Sequence, residues 1–137
     1  GELFDGVLPR IFTETGNHHT DEFPPDEVIA NAIFEVDTAG WAEPWEKLSG
    51  RIMDGFTDIA KESEAKGAKN IVIVSHGMTI GTFVKLAHPE LPRPHGLDNG
   101  SVTHLSFEDG KFTIGKVGDM SYREAGAKVM EEEVEAR

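Results

Sequence analysis

The segment that most restricts the fold is Asn70-Ile-Val-Ile-Val-Ser75, an unbroken run dominated by β-branched residues. A run of this length without polar alternation predicts a strand buried on both faces, as in a parallel sheet. It is followed at once by Ser75-His76-Gly77. Met78, Ile80, Phe83, Val84 and Leu86 then precede His88-Pro89 at spacings that predict a helix. Upstream, Pro44 suits a first helical turn, and Trp45, Leu48, Ile52, Phe56, Ile59 and Ala60 recur at three- and four-residue steps. That helix should run to about Ala65 and stop at Gly67, a residue suited to the left-handed position after a helix. The predicted unit is helix, strand, tight turn, helix.

The flanks are read in the same way. Residues 1–12 place Leu3, Phe4, Val7, Leu8, Ile11 and Phe12 at helical spacing, interrupted by Gly6 and Pro9. Residues 13–27 are rich in Thr, Asn, Asp, Gly, His and Pro and predict a long surface loop, after which Asp26 to Val36 can form a helix. Ser101–Phe107 and Lys111–Val117 alternate on either side of Asp109-Gly110, a strong hairpin signal. Residues 124–137 form an acidic tail, helical or frayed, containing Glu131-Glu132-Glu133. The whole, residues 1–137, is expected to be one domain. A strand apolar on both sides needs neighbours at both edges, yet the chain offers one such strand and a hairpin. The expected architecture is therefore an α/β three-layer sandwich with a mainly parallel sheet, incomplete at the N-terminus.

Composition narrows the function. The net charge of −12 disfavours a nucleic-acid backbone as partner, because a phosphate polymer requires a basic stripe. The acids are unevenly spread: residues 1–68 hold fifteen against five bases, whereas residues 69–123 hold five against six. The region around His76 is thus the least repulsive to a small anion. With no cysteine, neither disulfides nor thiolate metal sites can form, and a cytoplasmic location is expected. No apolar run approaches a membrane span, and the N-terminus lacks a signal-peptide pattern. No membrane partner is expected.

Ser75-His76-Gly77 stands where a strand gives way to a helix. In open α/β sheets ligands bind at this place, because unbonded helical N–H groups and the positive end of the helix dipole point into the crevice. Gly77 allows a sharp turn and close approach of an anion, and Met78 and Thr79 supply the first amides. His76 can donate an N–H to a phosphoryl oxygen. On the other reading, His76 is a strand-end histidine bonded into the structure. Asn99 either shapes the pocket rim or is a turn residue. His18-His19 with His88, His95 and His104 could be enlisted as metal ligands, but no spaced framework completes a site, and no metal or cofactor is expected. Trp45 fits the apolar face of its helix, while Trp41 could stack on a substrate.

Asn70-Ile-Val-Ile-Val-Ser-His-Gly-Met-Thr-Ile80, Leu97-Asp-Asn-Gly-Ser-Val-Thr103, Phe107-Glu-Asp-Gly110 and Val117-Gly-Asp119 together resemble the second half of the histidine phosphatase superfamily, the phosphoglycerate mutase-like family. Glu43-Pro-Trp-Glu-Lys-Leu-Ser-Gly-Arg-Ile52 is similar to that family's preceding helix, so the likeness covers most of residues 40–120. The resemblance implies phosphoryl transfer through a phosphohistidine. A histidine in an Arg-His-Gly motif is the nucleophile, arginines and a second histidine clamp the oxygens, and a carboxylic acid protonates the leaving group. His76 matches the second histidine. No Arg-His-Gly tripeptide occurs in the sequence, and Arg51 and Arg93 match no clamp position.

The expected function is phosphomonoester hydrolysis in an intact parent, with this chain alone inactive. Mutase activity and a non-catalytic phosphate-binding module are the alternatives. His76 is the expected catalytic residue, Ser75, Gly77, Met78 and Asn99 the substrate-binding ones, and a small phosphorylated molecule the ligand. The exposed sheet surface is expected to associate with a missing N-terminal segment or a second copy.

Overall fold

The computed structural model describes residues 24–137. The predicted helix at 1–12, most of the predicted loop at 13–27, and His18-His19 lie outside the described residues. By compactness the chain divides into Gly1–Arg51 and Ile52–Arg137.

In the first unit, α1 spans Asp26–Val36 and buries Ile29 and Ala30. Its entry is set by the Pro25 carbonyl, which accepts from the amides of Val28 and Ile29. Asp37 ends the helix by turning its carboxylate onto the N–H groups of Ala42, Ala39 and Trp41. Those donors hold its carboxyl below the usual range. The Asn31 side-chain oxygen accepts from the Trp45 amide at 2.8 Å, which fixes the start of α2. Arg51 pairs with Glu43 at 2.6 Å and so has a structural partner, while Trp41 is exposed and Trp45 half-buried.

Helix α2, Trp45–Ala65, ends as the sequence predicts. Gly67 adopts φ 74°, its N–H donates to the Glu64 carbonyl, and the Ala68 N–H donates to Ser63. This pair of bonds is a Schellman closure, and the positive φ is what a glycine supplies without strain. In the second unit α2 buries Ile52 and Ala60, and in α3, Gly77–Ala87, Phe83 and Val84 are fully buried. Phe56 stacks on Phe83 at 4.1 Å, and Phe83 meets Phe112 edge-on at 4.9 Å. Phe112 in turn packs on Phe107 at 4.8 Å. This row of rings joins two helices to the hairpin and forms the core.

The hairpin pairs β1, Leu105–Glu108, with β2, Lys111–Ile114. Asp109 and Gly110 both take positive φ, 52° and 74°, as a two-residue hairpin turn with the sheet's own twist requires. The regular strands are shorter than the sequence pattern predicts. The ladder register of Leu105 on Ile114 would bring Val102 opposite residue 117, but Val102 pairs with Asp119, so two extra residues sit on the second strand. The His104 N–H donates to the Lys116 carbonyl while the His104 carbonyl accepts from Gly115, which marks the bulge. A final helix, α4, covers Ser121–Glu135 and buries no residue, in keeping with the predicted solvated tail.

The run at 70–75, expected as an interior strand, stands without the neighbours that such a strand requires among the described residues. Among the described residues it forms no ladder, and the two-stranded hairpin is the only sheet. Ile71 and Ile73 are 47% and 39% exposed, whereas Val72 and Val74 are 88% and 93% exposed. That alternation is the signature of an extended run resting one face on the molecule. Burial on two faces is a property of a strand with neighbours, and the hairpin spends its own hydrogen bonds on itself.

Candidate functional site

His76 takes an extended backbone, φ −95° and ψ 150°, immediately before α3. Its carbonyl accepts the first helical bond, from the Ile80 amide at 3.0 Å. The imidazole makes no capping bond and is exposed, so it is not committed to the structure as a strand-end histidine would be. The next three amides, of Gly77, Met78 and Thr79, have no backbone acceptor among the described residues. Three N–H groups at the positive end of a helix dipole, beside an uncommitted imidazole, can hold an anion. Ser75 is half-buried just before the turn.

Three of the stretches that carry the sequence resemblance converge on Leu97. Its Cβ and carbonyl stand 3.5 Å from the position a Cβ would take on Gly77. Its Cδ2 stands 3.1 Å from the corresponding position on Gly118, which also has φ 68°. A single leucine thus wedges the Ser75-His76-Gly77 turn against Gly118, beyond the end of β2. Sequence reasoning quoted Leu97 and Gly118 only as parts of motifs and gave neither a role. The two glycines, far apart in sequence and each within a short motif, were the available signal.

The loop before Leu97 lies along the same face of α3. Arg93 Cζ is 3.2 Å and the Pro94 carbonyl 2.9 Å from a Cβ position on Gly81. The Arg93 guanidinium also reaches Met78 Sδ at 3.5 Å, His95 Nδ1 at 3.3 Å and the Pro94 carbonyl at 2.8 Å. Arg93 is therefore packed on the helix that Ser75-His76-Gly77 begins, rather than facing solvent.

Asn99 occupies the turn Asp98–Ser101, closed by the Ser101 amide on the Asp98 carbonyl at 3.1 Å, with Gly100 at φ 80°. Its carbonyl accepts from Arg123 at 3.2 Å. Asn99 thus sits in a turn that follows directly on Leu97-Asp98. His104 faces Asp119 at 3.5 Å and Tyr122 at 5.7 Å between ring centroids. Asp119 is held well below the usual carboxylate range by the backbone and side chain of Ser121 and by Lys116. Its bonds tie the bulged strand to α4, which is a structural use. Among the described residues no cluster of three or more His, Asp or Glu could hold a metal, and no helix is long and apolar enough to cross a membrane.

Residues 75–77 thus form a turn into α3 whose first amides find no backbone acceptor among the described residues, with an exposed histidine beside them and Leu97 packed against Gly77 and Gly118. A family model agrees over residues 15–120, and the chain belongs to the histidine phosphatase superfamily, branch 1. Among solved structures it is similar to phosphoglycerate mutase from Bacillus anthracis str. Sterne, with 33% identity and a TM-score of 0.64 over 70% of this chain. The chain spans 42% of that mutase's length. No curated protein sequence matches it.

Proposed function

We propose that this chain carries the phosphate-holding half of a phosphohistidine-forming phosphatase site. His76 and the Gly77, Met78 and Thr79 amides would bind the non-bridging oxygens, with Ser75 and Asn99 at the rim. The observation that carries this reading is the exposed His76, which makes no capping bond, beside three amides at the start of α3 that find no backbone acceptor among the described residues. Donors already in place stabilise a transferring phosphoryl group without reorganising, which is the main demand of this chemistry. The covalent step requires a nucleophilic histidine, and the sequence contains no Arg-His-Gly. The chain by itself would therefore bind phosphate and not turn it over.

The segment at 70–75 would be an interior strand of a parallel sheet in a three-layer α/β sandwich. The exposure of Val72 and Val74 supports this, since their face is finished for burial. Its outer face and edges would be covered in the assembled protein by further strands of the same domain or by a second copy.

The test uses an intact protein that includes an Arg-His-Gly segment. It should hydrolyse a generic phosphomonoester and trap acid-labile phosphate on a histidine. His76→Ala should lose most turnover, by about a hundredfold or more, the usual scale for removing an oxyanion donor. Unchanged turnover would remove His76 from the mechanism. The second reading, a mutase, is favoured by the name of the similar solved structure. Phosphorus NMR separates the two: a mutase returns the phosphoryl group to a phosphoglycerate hydroxyl, and a phosphatase releases inorganic phosphate.

A further inference from the structure

Helix α4 takes no part in the phosphate reading, and it begins just beyond residue 120, where the family match ends. Its first turn is tied to the molecule. The Arg123 guanidinium donates to the Asn99 carbonyl at 3.2 Å, the Arg123 stem lies over Gly100, and the Tyr122 ring centroid stands 5.7 Å from that of His104. No residue of the helix is buried. Tyr122, Val129, Met130 and Val134 are 56%, 53%, 68% and 70% exposed. With Gly126, whose Cβ position meets open space, they recur at steps of three and four residues and so lie along one side of the helix.

The helix is poorly suited to standing alone. Its 15 residues are marginal for an isolated helix, and the interior Gly126 weakens it further. Glu131, Glu132, Glu133 and Glu135 crowd the end where the helix dipole is negative, and the last turn holds no base. Among the described residues neither Lys128 nor these glutamates form an ion pair. The charges are also unequally divided. Residues 121–128 carry two bases and one acid, whereas residues 129–137 carry four acids and one base.

A second copy of the same helix, laid antiparallel, answers each of these features. It sets the acidic end of one helix beside the basic half and the positive dipole end of the other. Such a pair is isologous, so both halves of each helix are matched at once. Gly126 lets the two backbones approach closely. With Gly126 laid on the Val129-Met130 step of the second copy, the turn at Tyr122-Arg123 stands beside the turn at Glu133-Val134. A parallel pair would instead set the acidic ends against each other. The net charge of −12 on each copy opposes unspecific association, so the contact depends on this local match.

We propose that the apolar side of α4 is a docking surface for α4 of a second copy of this chain, the two forming an antiparallel helix pair. Two 15-residue helices make a contact smaller than that of permanent dimers, and the association is therefore concentration-dependent.

The experiment is sedimentation equilibrium of the chain 1–137 carrying Val72→Lys and Val74→Lys, which removes strand pairing through 70–75 as a source of mass. A monomer–dimer equilibrium should remain, and Met130→Asp should weaken it about tenfold or more, the scale of losing one central anchor. Glu131→Lys, Glu132→Lys and Glu133→Lys together should abolish self-association, as should Arg123→Glu with Lys128→Glu. Mixing these two reversed variants should restore a dimer containing one of each. Because the chain has no cysteine, disulfide trapping reads the orientation. A mixture of Tyr122→Cys and Val134→Cys should cross-link, whereas Val134→Cys alone should not, since its two sulfurs would stand about 18 Å apart along the pair. A chain that stays monomeric assigns the face to a different protein and overturns the proposal. So does a dimer indifferent to Met130→Asp or to the charge reversals, a mixture of reversed variants that fails to pair, or a disulfide formed by Val134→Cys alone in place of the mixed one.

Discussion

His88 sits between two acceptors. One ring nitrogen faces the Phe112 carbonyl and the other the Glu90 carboxylate, each at 2.7 Å. A neutral imidazole donates only one N–H, so the pair of bonds is complete only in the protonated ring. The Phe112 bond and then Glu90 raise the pKa above 6.5, and Glu90 is lowered below 4.5, chiefly by His88. A raised pKa in the folded state means that His88 contributes stability fully below its unfolded value and loses it as the pH rises through the folded one. Glu90 behaves oppositely, contributing above its unfolded value and losing it in acid. His88→Gln should therefore lower the melting temperature most at about pH 5.5, with the gap to wild type narrowing towards about pH 9. A gap independent of pH would show that His88 acts by shape alone. The sequence displayed His88 as the residue before Pro89 and as one of several candidate metal ligands but not in this role, because its second partner lies 24 positions away in β2.

Helix α3 joins the candidate site to the core, and two of its residues separate those roles. Gly81 faces the Pro94 carbonyl, which is backbone and cannot swing aside. Gly81→Ala should gain about 1 kcal/mol in helix propensity but lose more to overpacking, about 1–3 kcal/mol. The expected result in urea is a net loss, whereas a net gain would show that loop 93–97 moves freely. Phe83, fully buried between Phe56 and Phe112, should cost about 3–5 kcal/mol on replacement by alanine. Hairpin, helix ends and the helical faces were legible in the sequence because each is set by local chemistry: Asp109-Gly110 for the turn, Gly67 for the stop, three- and four-residue spacing for α2. The bulge that pairs Val102 with Asp119 was not, because two extra residues in a strand leave the alternation of its neighbours intact.

At the scale of the molecule the uncovered run at 70–75 dominates behaviour. Its four apolar side chains are between 39% and 93% exposed in a segment without charge. Such a run presents open backbone groups as well as apolar surface, the combination that promotes strand pairing between molecules. The chain 1–137 should associate at high concentration, and the double replacement Val72→Lys with Val74→Lys should shift its light-scattering mass towards the monomer. A monomeric wild type at the same concentration would show that the run is not adhesive. Sequence by itself determined the helices, the hairpin, the strand-like character of 70–75 and the position of His76 at the start of a helix, since spacing, glycine placement and β-branching act over a few residues. Only the tertiary structure decided that Leu97 wedges Gly77 against Gly118, that Arg93 packs on α3 and Arg123 reaches Asn99, and that 70–75 finds no partner strand among the described residues. Those outcomes depend on contacts between distant segments, and a strand's burial depends on which neighbours are present to supply its hydrogen bonds.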